Sequence, residues 1–125
     1  MNTARLIAAA IFALAGFFGA PPAARAHAFL DHAAPAVGST VPNPPPVIHL
    51  WFTQELEPAF SWVTVSDKSG ASVSDGPAAI DPSNKMEMTV KLKPLPAGTY
   101  TVKWHALSVD THTTEGDFTF QVKKG

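Results

Sequence analysis

The chain has 125 residues, nearly balanced charge with nine basic and ten acidic side chains, and no cysteine. This composition excludes the concentrated basic surface that nucleic-acid binding requires. It also excludes thiolate-ligated zinc, iron–sulfur clusters and a cysteine nucleophile.

Residues 1–26 have the pattern of a secretory signal peptide. Arg5 gives a positive start, residues 6–18 form an apolar run, and residues 24–26 place small side chains where a signal peptidase cuts. The run is too short for a membrane anchor, and a buried N-terminal helix is the alternative. We expect cleavage before residue 27, leaving one domain over residues 27–125 that is periplasmic and not inserted in the membrane.

Alternating side chains in the first half of this domain predict short β-strands. A strand opens at His27, and the proline-rich residues 42–46 lead from it to the next one. In residues 47–52, the side chains that would point to either face of a strand are apolar or aromatic, which indicates a strand buried on both faces. A shorter strand over residues 62–65 ends at the turn signal of residues 67–70.

The second half repeats this two-residue period. Residues 86–93 alternate apolar and polar side chains, and residues 94–98 form a turn that leads to a strand over residues 100–105. A last strand covers residues 118–123. Short strands at this spacing predict an all-β fold, an antiparallel immunoglobulin-like β-sandwich with Greek-key connections, or a small barrel.

His27 and the Asp110-Thr111-His112 segment are the candidate metal ligands. After cleavage, His27 would present a free α-amine and an imidazole that close one chelate ring on a metal ion. Asp110 and His112 are two residues apart in a connecting loop, so in extended backbone they point to the same side. Such a nitrogen and oxygen set favours Cu(II), then Ni(II), with zinc possible. Alternatively, Asp110 only caps a turn and His112 is simply exposed.

Five segments of the domain together resemble the CopC family of periplasmic copper-resistance and copper-handling proteins. The first mature residue and the D-x-H loop match together, which makes the resemblance specific. The segments are residues 27–30, 35–39, 50–53, 97–104 and 108–120.

The resemblance implies a β-sandwich that binds one Cu(II) per chain through His27, Asp110 and His112. It also implies a role in copper sequestration and resistance, or in delivery to a CopD-like inner-membrane protein, and one site per chain is compatible with a monomer. Some family members bind Cu(I) through a methionine-rich loop. Here Met86 and Met88 are expected on the apolar face of a strand, so we expect binding of Cu(II) only.

Four further positions are considered beside these ligands. Many relatives have a glutamate where this chain has Gln54, which leaves an axial carboxylate in doubt. His105 could orient a ligand, or simply pack. His32 and His49 show no paired carboxylate and are expected to pack or lie on the surface.

Two other functions fit parts of the pattern. One is a copper oxygenase with an N-terminal histidine brace, although the short chain and the extra aspartate ligand argue against it. The other is a plain β-sandwich interaction domain with incidental histidines. Because no nucleophile motif, phosphate loop or paired catalytic carboxylates are visible, we expect no enzyme activity.

Overall fold

The computed structural model describes residues 28–124, so the predicted signal peptide and His27 lie outside the described part of the chain. A short 3-10 helix at Pro58–Phe60 separates the third and fourth strands. The strands are β1 (Leu30–Ala34), β2 (Thr40–Val41), β3 (Val47–Phe52), β4 (Trp62–Ser66), β5 (Ala79–Asp81), β6 (Asn84–Lys91), β7 (Gly98–Leu107) and β8 (Thr113–Val122).

The strands form two four-stranded sheets, and this confirms the predicted β-sandwich. One sheet has the order β1-β3-β6-β5 and the other has the order β2-β8-β7-β4. Every pairing is antiparallel except that of β2 with β8, which is parallel. The antiparallel prediction is therefore wrong for β2, a strand of only two residues that lies at a sheet edge.

Alternating side chains from both sheets meet in the core. The side chains of β7 that point inward are almost fully buried, and those of Phe120 and Leu50 are fully buried. His49 and Trp51 of β3 are only half-buried, so the expectation that this strand is buried on both faces is wrong. Their sheet packs on one side only and leaves its other face toward solvent, as antiparallel sheets commonly do.

Gly116 allows one tryptophan to pack close to the backbone of β8. Its strand partner is Trp104, whose indole would lie 2.6 Å from a Cβ added at Gly116. Trp104 also meets Phe52 edge-to-face, with ring centroids 5.2 Å apart, and so it joins the two sheets. A glycine is therefore required here by space rather than by backbone conformation.

The segment between β3 and β4 crosses from one sheet to the other at one end of the sandwich. Leu56 bonds through its amide to the carbonyl of Lys85 and forms a bridge with Ser108. The amide of Glu57 bonds to the carbonyl of Leu107 at 2.8 Å. This crossing supports the β7–β8 connection, where Asp110 and His112 lie. Within residues 28–124, no helix has the length and apolar character needed to cross a bilayer.

Candidate metal site

The loop of residues 108–112 is a tight connection between the two longest strands. Its ends are joined by a 3.0 Å hydrogen bond from the Ser108 amide to the His112 carbonyl. Thr111 bonds back to the Ser108 carbonyl at 2.9 Å and adopts a φ of 72°. This left-handed conformation costs a non-glycine residue about 1–2 kcal/mol. The loop is held in one shape by these backbone contacts.

Ser108 is the buried centre of the loop. Its side chain is almost inaccessible, and its hydroxyl donates a hydrogen bond to Oδ1 of Asp110. Oγ of Ser108 also accepts a 3.3 Å hydrogen bond from the amide of His112. One serine hydroxyl therefore fixes both the carboxylate and the backbone of the candidate pair.

Asp110 and His112 lie side by side, although Thr111 between them adopts a left-handed turn rather than the extended backbone that the spacing argument assumed. Oδ1 of Asp110 lies 3.4 Å from Nδ1 of His112, and about half of the imidazole is exposed. The hydrogen bond from Ser108, helped by the His112 ring, holds the pKa of Asp110 below its ordinary value. The carboxyl is thus ionised at neutral pH, and an ionised carboxylate beside an imidazole is a suitable pair of donors for Cu(II).

The first described residue is tied to the same hairpin. Ala28 is fully buried, and its carbonyl accepts a 2.5 Å hydrogen bond from the hydroxyl of Thr114, two residues after His112. Phe29 is held on the other side, where it exchanges two 2.9 Å hydrogen bonds with Thr53. The start of the described chain is thereby anchored at the end of the sandwich that carries the D-x-H loop.

A family model named CopC domain matches residues 30–123. The chain belongs to the CopC family. This match covers the whole β-sandwich and confirms the resemblance that the sequence motifs indicated.

Relatives of this CopC-family chain include proteins of copper resistance. The chain is 37% identical over 103 residues to Protein YobA of Escherichia coli K12, covering 82% of this chain and 83% of the relative. It is 38% identical over 109 residues to Copper resistance protein C of Escherichia coli, covering 80% and 84%. The crystal structure of CopC from Methylosinus trichosporium OB3b superimposes with a TM-score of 0.70 at 32% identity, over 78% of this chain and 95% of that one.

The CopC-family chain departs from our expectation at one of the two methionines of the predicted mature domain. Met88 is fully buried in the core, but Met86 is 40% exposed. The prediction that both pack on the apolar face is therefore wrong for Met86. It lies near the start of β6, beyond Glu87, which is the last residue that pairs with β3.

Gln54 lies in the segment that runs beside the candidate loop. The next residue, Glu55, accepts a 3.1 Å hydrogen bond from the amide of Val109 through its carbonyl. The Glu55 side chain is exposed. The backbone of this segment thus supports the loop.

The other histidines make contacts away from the D-x-H pair. His105 stacks on Trp62 with ring centroids 5.4 Å apart, and its Nδ1 lies 3.7 Å from Glu115. Trp62 is 45% exposed, so this stack lies on the outer face of its sheet.

His32 and His49 stack on Trp51 with ring centroids 4.4 and 5.5 Å apart. They also bond to Asp31 and Glu87 at 2.6 and 2.8 Å. Both histidines thus have a carboxylate partner, contrary to our expectation. Glu87 is 38 residues from His49, so local spacing could not reveal it.

Over residues 28–124, no group of three or more histidine and acidic side chains is close enough to hold a metal ion. Asp110 and His112 supply two donors, and a complete site needs more. Sequence reasoning also missed the roles of the Ser108 and Thr114 hydroxyls. The role of Ser108 could have been predicted, because a serine two residues before an aspartate commonly forms a local hydrogen bond in a turn.

Proposed function

We propose that the mature domain binds one Cu(II) ion in the periplasm through the α-amine and imidazole of His27, the carboxylate of Asp110 and the imidazole of His112. The observation that carries this proposal is the hydrogen bond from Thr114 to the carbonyl of Ala28. It tethers the residue that follows His27 to the strand that follows His112. Because consecutive Cα atoms are about 3.8 Å apart, this tether supports the inclusion of His27 in the proposed site.

The donor set fits Cu(II) on chemical grounds. Three nitrogens and one carboxylate oxygen make the tetragonal set that this ion prefers, whereas zinc prefers a tetrahedron. The carboxyl of Asp110 is already ionised at neutral pH, so a metal ion does not have to displace a proton from it. In this arrangement Asp110 would occupy a coordination position that an oxygenase would leave open for oxygen, so we propose binding without catalysis.

The exposure of the loop supports a role in carrying copper. Both Asp110 and His112 are open to solvent, which allows an incoming ligand to replace them one at a time. We propose that the protein sequesters copper for resistance or passes it to a membrane copper importer of the CopD type, and that it works as a monomer.

The deciding experiment is a Cu(II) titration of two preparations. One begins at His27 with a free amine, and the other carries a single extra alanine before it. We expect tight one-to-one binding with a tetragonal electron paramagnetic resonance spectrum in the first, and loss or strong weakening in the second. Equal binding by both would remove His27 from the site, and binding by neither would refute the function.

A further inference from the structure

The charges of the domain are separated along its long axis. We call the end that carries the 108–112 loop the loop end. On the first sheet, the carboxylates of Asp31, Asp81 and Glu87 lie there, because they lie next to the end of β3 or the start of β6.

The second sheet and the crossing segment add to the same end. Glu55 and Glu57 lie in the crossing segment, which bonds to residues 107 and 109. Glu115 lies two residues inside β8, opposite His105. Lys85 is the lysine at this end, so the loop end has a large excess of negative charge.

Most lysines lie at the opposite end, which we call the lysine end. They lie at or beyond the strand ends that point away from the loop, at Lys68, Lys91, Lys93, Lys123 and Lys124. Asp67 and Asp75 also lie at this end, so five lysines there are partly offset by two carboxylates. Between the two ends, Lys103 pairs across strands with Asp117 and compensates it.

The separation is large compared with the range of electrostatic interactions in salt solution. The 10 residues of β7 span the domain, and at 3.3 Å per residue this is about 33 Å. The Debye length is about 8 Å at physiological ionic strength. A small ion near the loop therefore experiences the carboxylates around it and is screened from the distant lysines.

We propose that this field selects the copper source by charge: the domain accepts copper from cationic complexes and discriminates against anionic chelates. The inference rests on the proposed function and names the kind of donor that the site uses. The surrounding carboxylates act at a distance on the approaching complex and are not additional ligands. A cationic complex is concentrated near the loop before ligand exchange, whereas an anionic one is repelled.

The size of the effect follows from Coulomb's law with screening. For three carboxylates about 12 Å from a dication, the attraction raises the rate of encounter by about tenfold at 10 mM ionic strength and by about twofold at 0.15 M. For a monoanion at 10 mM, repulsion by the same carboxylates lowers the rate of encounter by about threefold.

The test compares the wild type with a triple variant, Asp31→Asn, Glu57→Gln and Glu115→Gln, both with His27 free. Stopped-flow quenching of tryptophan fluorescence measures the rate of copper uptake from two donors. One donor is the copper(II) complex of diethylenetriamine, a dication, and the other is copper(II) nitrilotriacetate, a monoanion. We expect the triple variant to slow uptake from the dication about tenfold at low salt and to speed uptake from the monoanion about threefold.

A matched control removes the same number of charges at the lysine end, through Lys91→Gln, Lys93→Gln and Lys123→Gln. We expect it to change uptake less than about twofold at low salt because of its distance. A change in the same direction with both donors, or no change with either, would overturn the inference. If the wild type itself fails to bind Cu(II) one-to-one, the proposed function fails instead, so the two failures are distinguishable.

Discussion

The hydroxyl of Thr114 and the carbonyl of Ala28 are joined by a 2.5 Å hydrogen bond across 86 residues of sequence. Because Ala28 is fully buried, this carbonyl has no water to bond to if the hydroxyl is removed. The contact therefore holds Ala28 against the strand that follows the D-x-H loop.

Replacing Thr114 with valine keeps the shape of the side chain and removes that hydrogen bond. We expect the free energy of unfolding to fall by about 1–3 kcal/mol, since a buried acceptor is left unpaired. Cu(II) affinity should fall further than stability alone explains, because the amino end loosens. Chemical denaturation and competitive copper titration of the same preparation measure the two effects.

Thr119→Val is the matched control, on the exposed face of the same strand. It should leave copper affinity unchanged. An equal loss of affinity in both variants would show that the Ala28 contact does not position the amino end.

Ser108→Ala removes the hydroxyl that bonds to Asp110 and accepts from His112. In metal-free protein we expect the pKa of Asp110 to rise toward its ordinary value, as followed by NMR. In the wild type, the pKa of Asp110 is lower in the folded state than in the unfolded state. The ionised carboxyl therefore stabilises the fold at pH values above the ordinary pKa, and this stabilisation is lost as the pH falls through the lowered pKa. The wild type should therefore lose more stability than the variant as the pH falls from neutral through the acidic range.

Ser61→Ala provides the comparison for that variant. Ser61 is also buried and accepts a 3.0 Å hydrogen bond from the amide of Leu107, but it does not contact Asp110. It should leave the titration of Asp110 unchanged. A shift of the same size in Ser61→Ala would mean that general loosening, rather than the serine hydroxyl, moves the pKa.

Two tryptophans should respond very differently to replacement by alanine. Trp104 is 8% exposed and packs over Gly116, so Trp104→Ala should cost about 3–5 kcal/mol of stability. Trp62 is 45% exposed, and Trp62→Ala should cost about 1 kcal/mol, mainly from its stack on His105. Thermal unfolding distinguishes them, and similar losses would contradict this assignment of the core.

The methionines make a second such pair. Met88 is fully buried, so Met88→Ala should destabilise the domain by about 2–5 kcal/mol. Met86 is 40% exposed, and Met86→Ala should change stability by less than about 0.5 kcal/mol. Neither should alter Cu(II) affinity in titration; a loss in Met86→Ala alone would place its thioether near the metal.

The sequence was informative where a strand has one polar and one apolar face. The alternation in residues 100–105 and 118–123 predicted most of β7 and the second half of β8, and the buried side chains there are those of the apolar set. The first half of β8, from Thr113 to Asp117, was missed because its side chains are mostly polar. The prediction failed for residues 47–52, because aromatic and histidine side chains on an exposed face resemble a buried run. There, Trp51 is half-covered by two histidines rather than by a second layer.

The candidate site was predictable in part for a similar reason. The short D-x-H spacing indicated that Asp110 and His112 lie close together, because that relation is local, but the extended backbone assumed for it is replaced by a left-handed turn at Thr111. The contact of Thr114 with Ala28 depends on how distant segments meet, and no local pattern carries it. His27 lies outside the described residues, so its place in the site stays a prediction.

The anchored amino end has a consequence for the whole fold. A metal ion held by His27, Asp110 and His112 would join the first residue of the domain to its last hairpin, and so close a loop of most of the chain. In a protein without cysteine, that is the constraint on the unfolded chain that a disulfide provides elsewhere. Copper would then be a cross-link that forms on loading and that a chelator reverses.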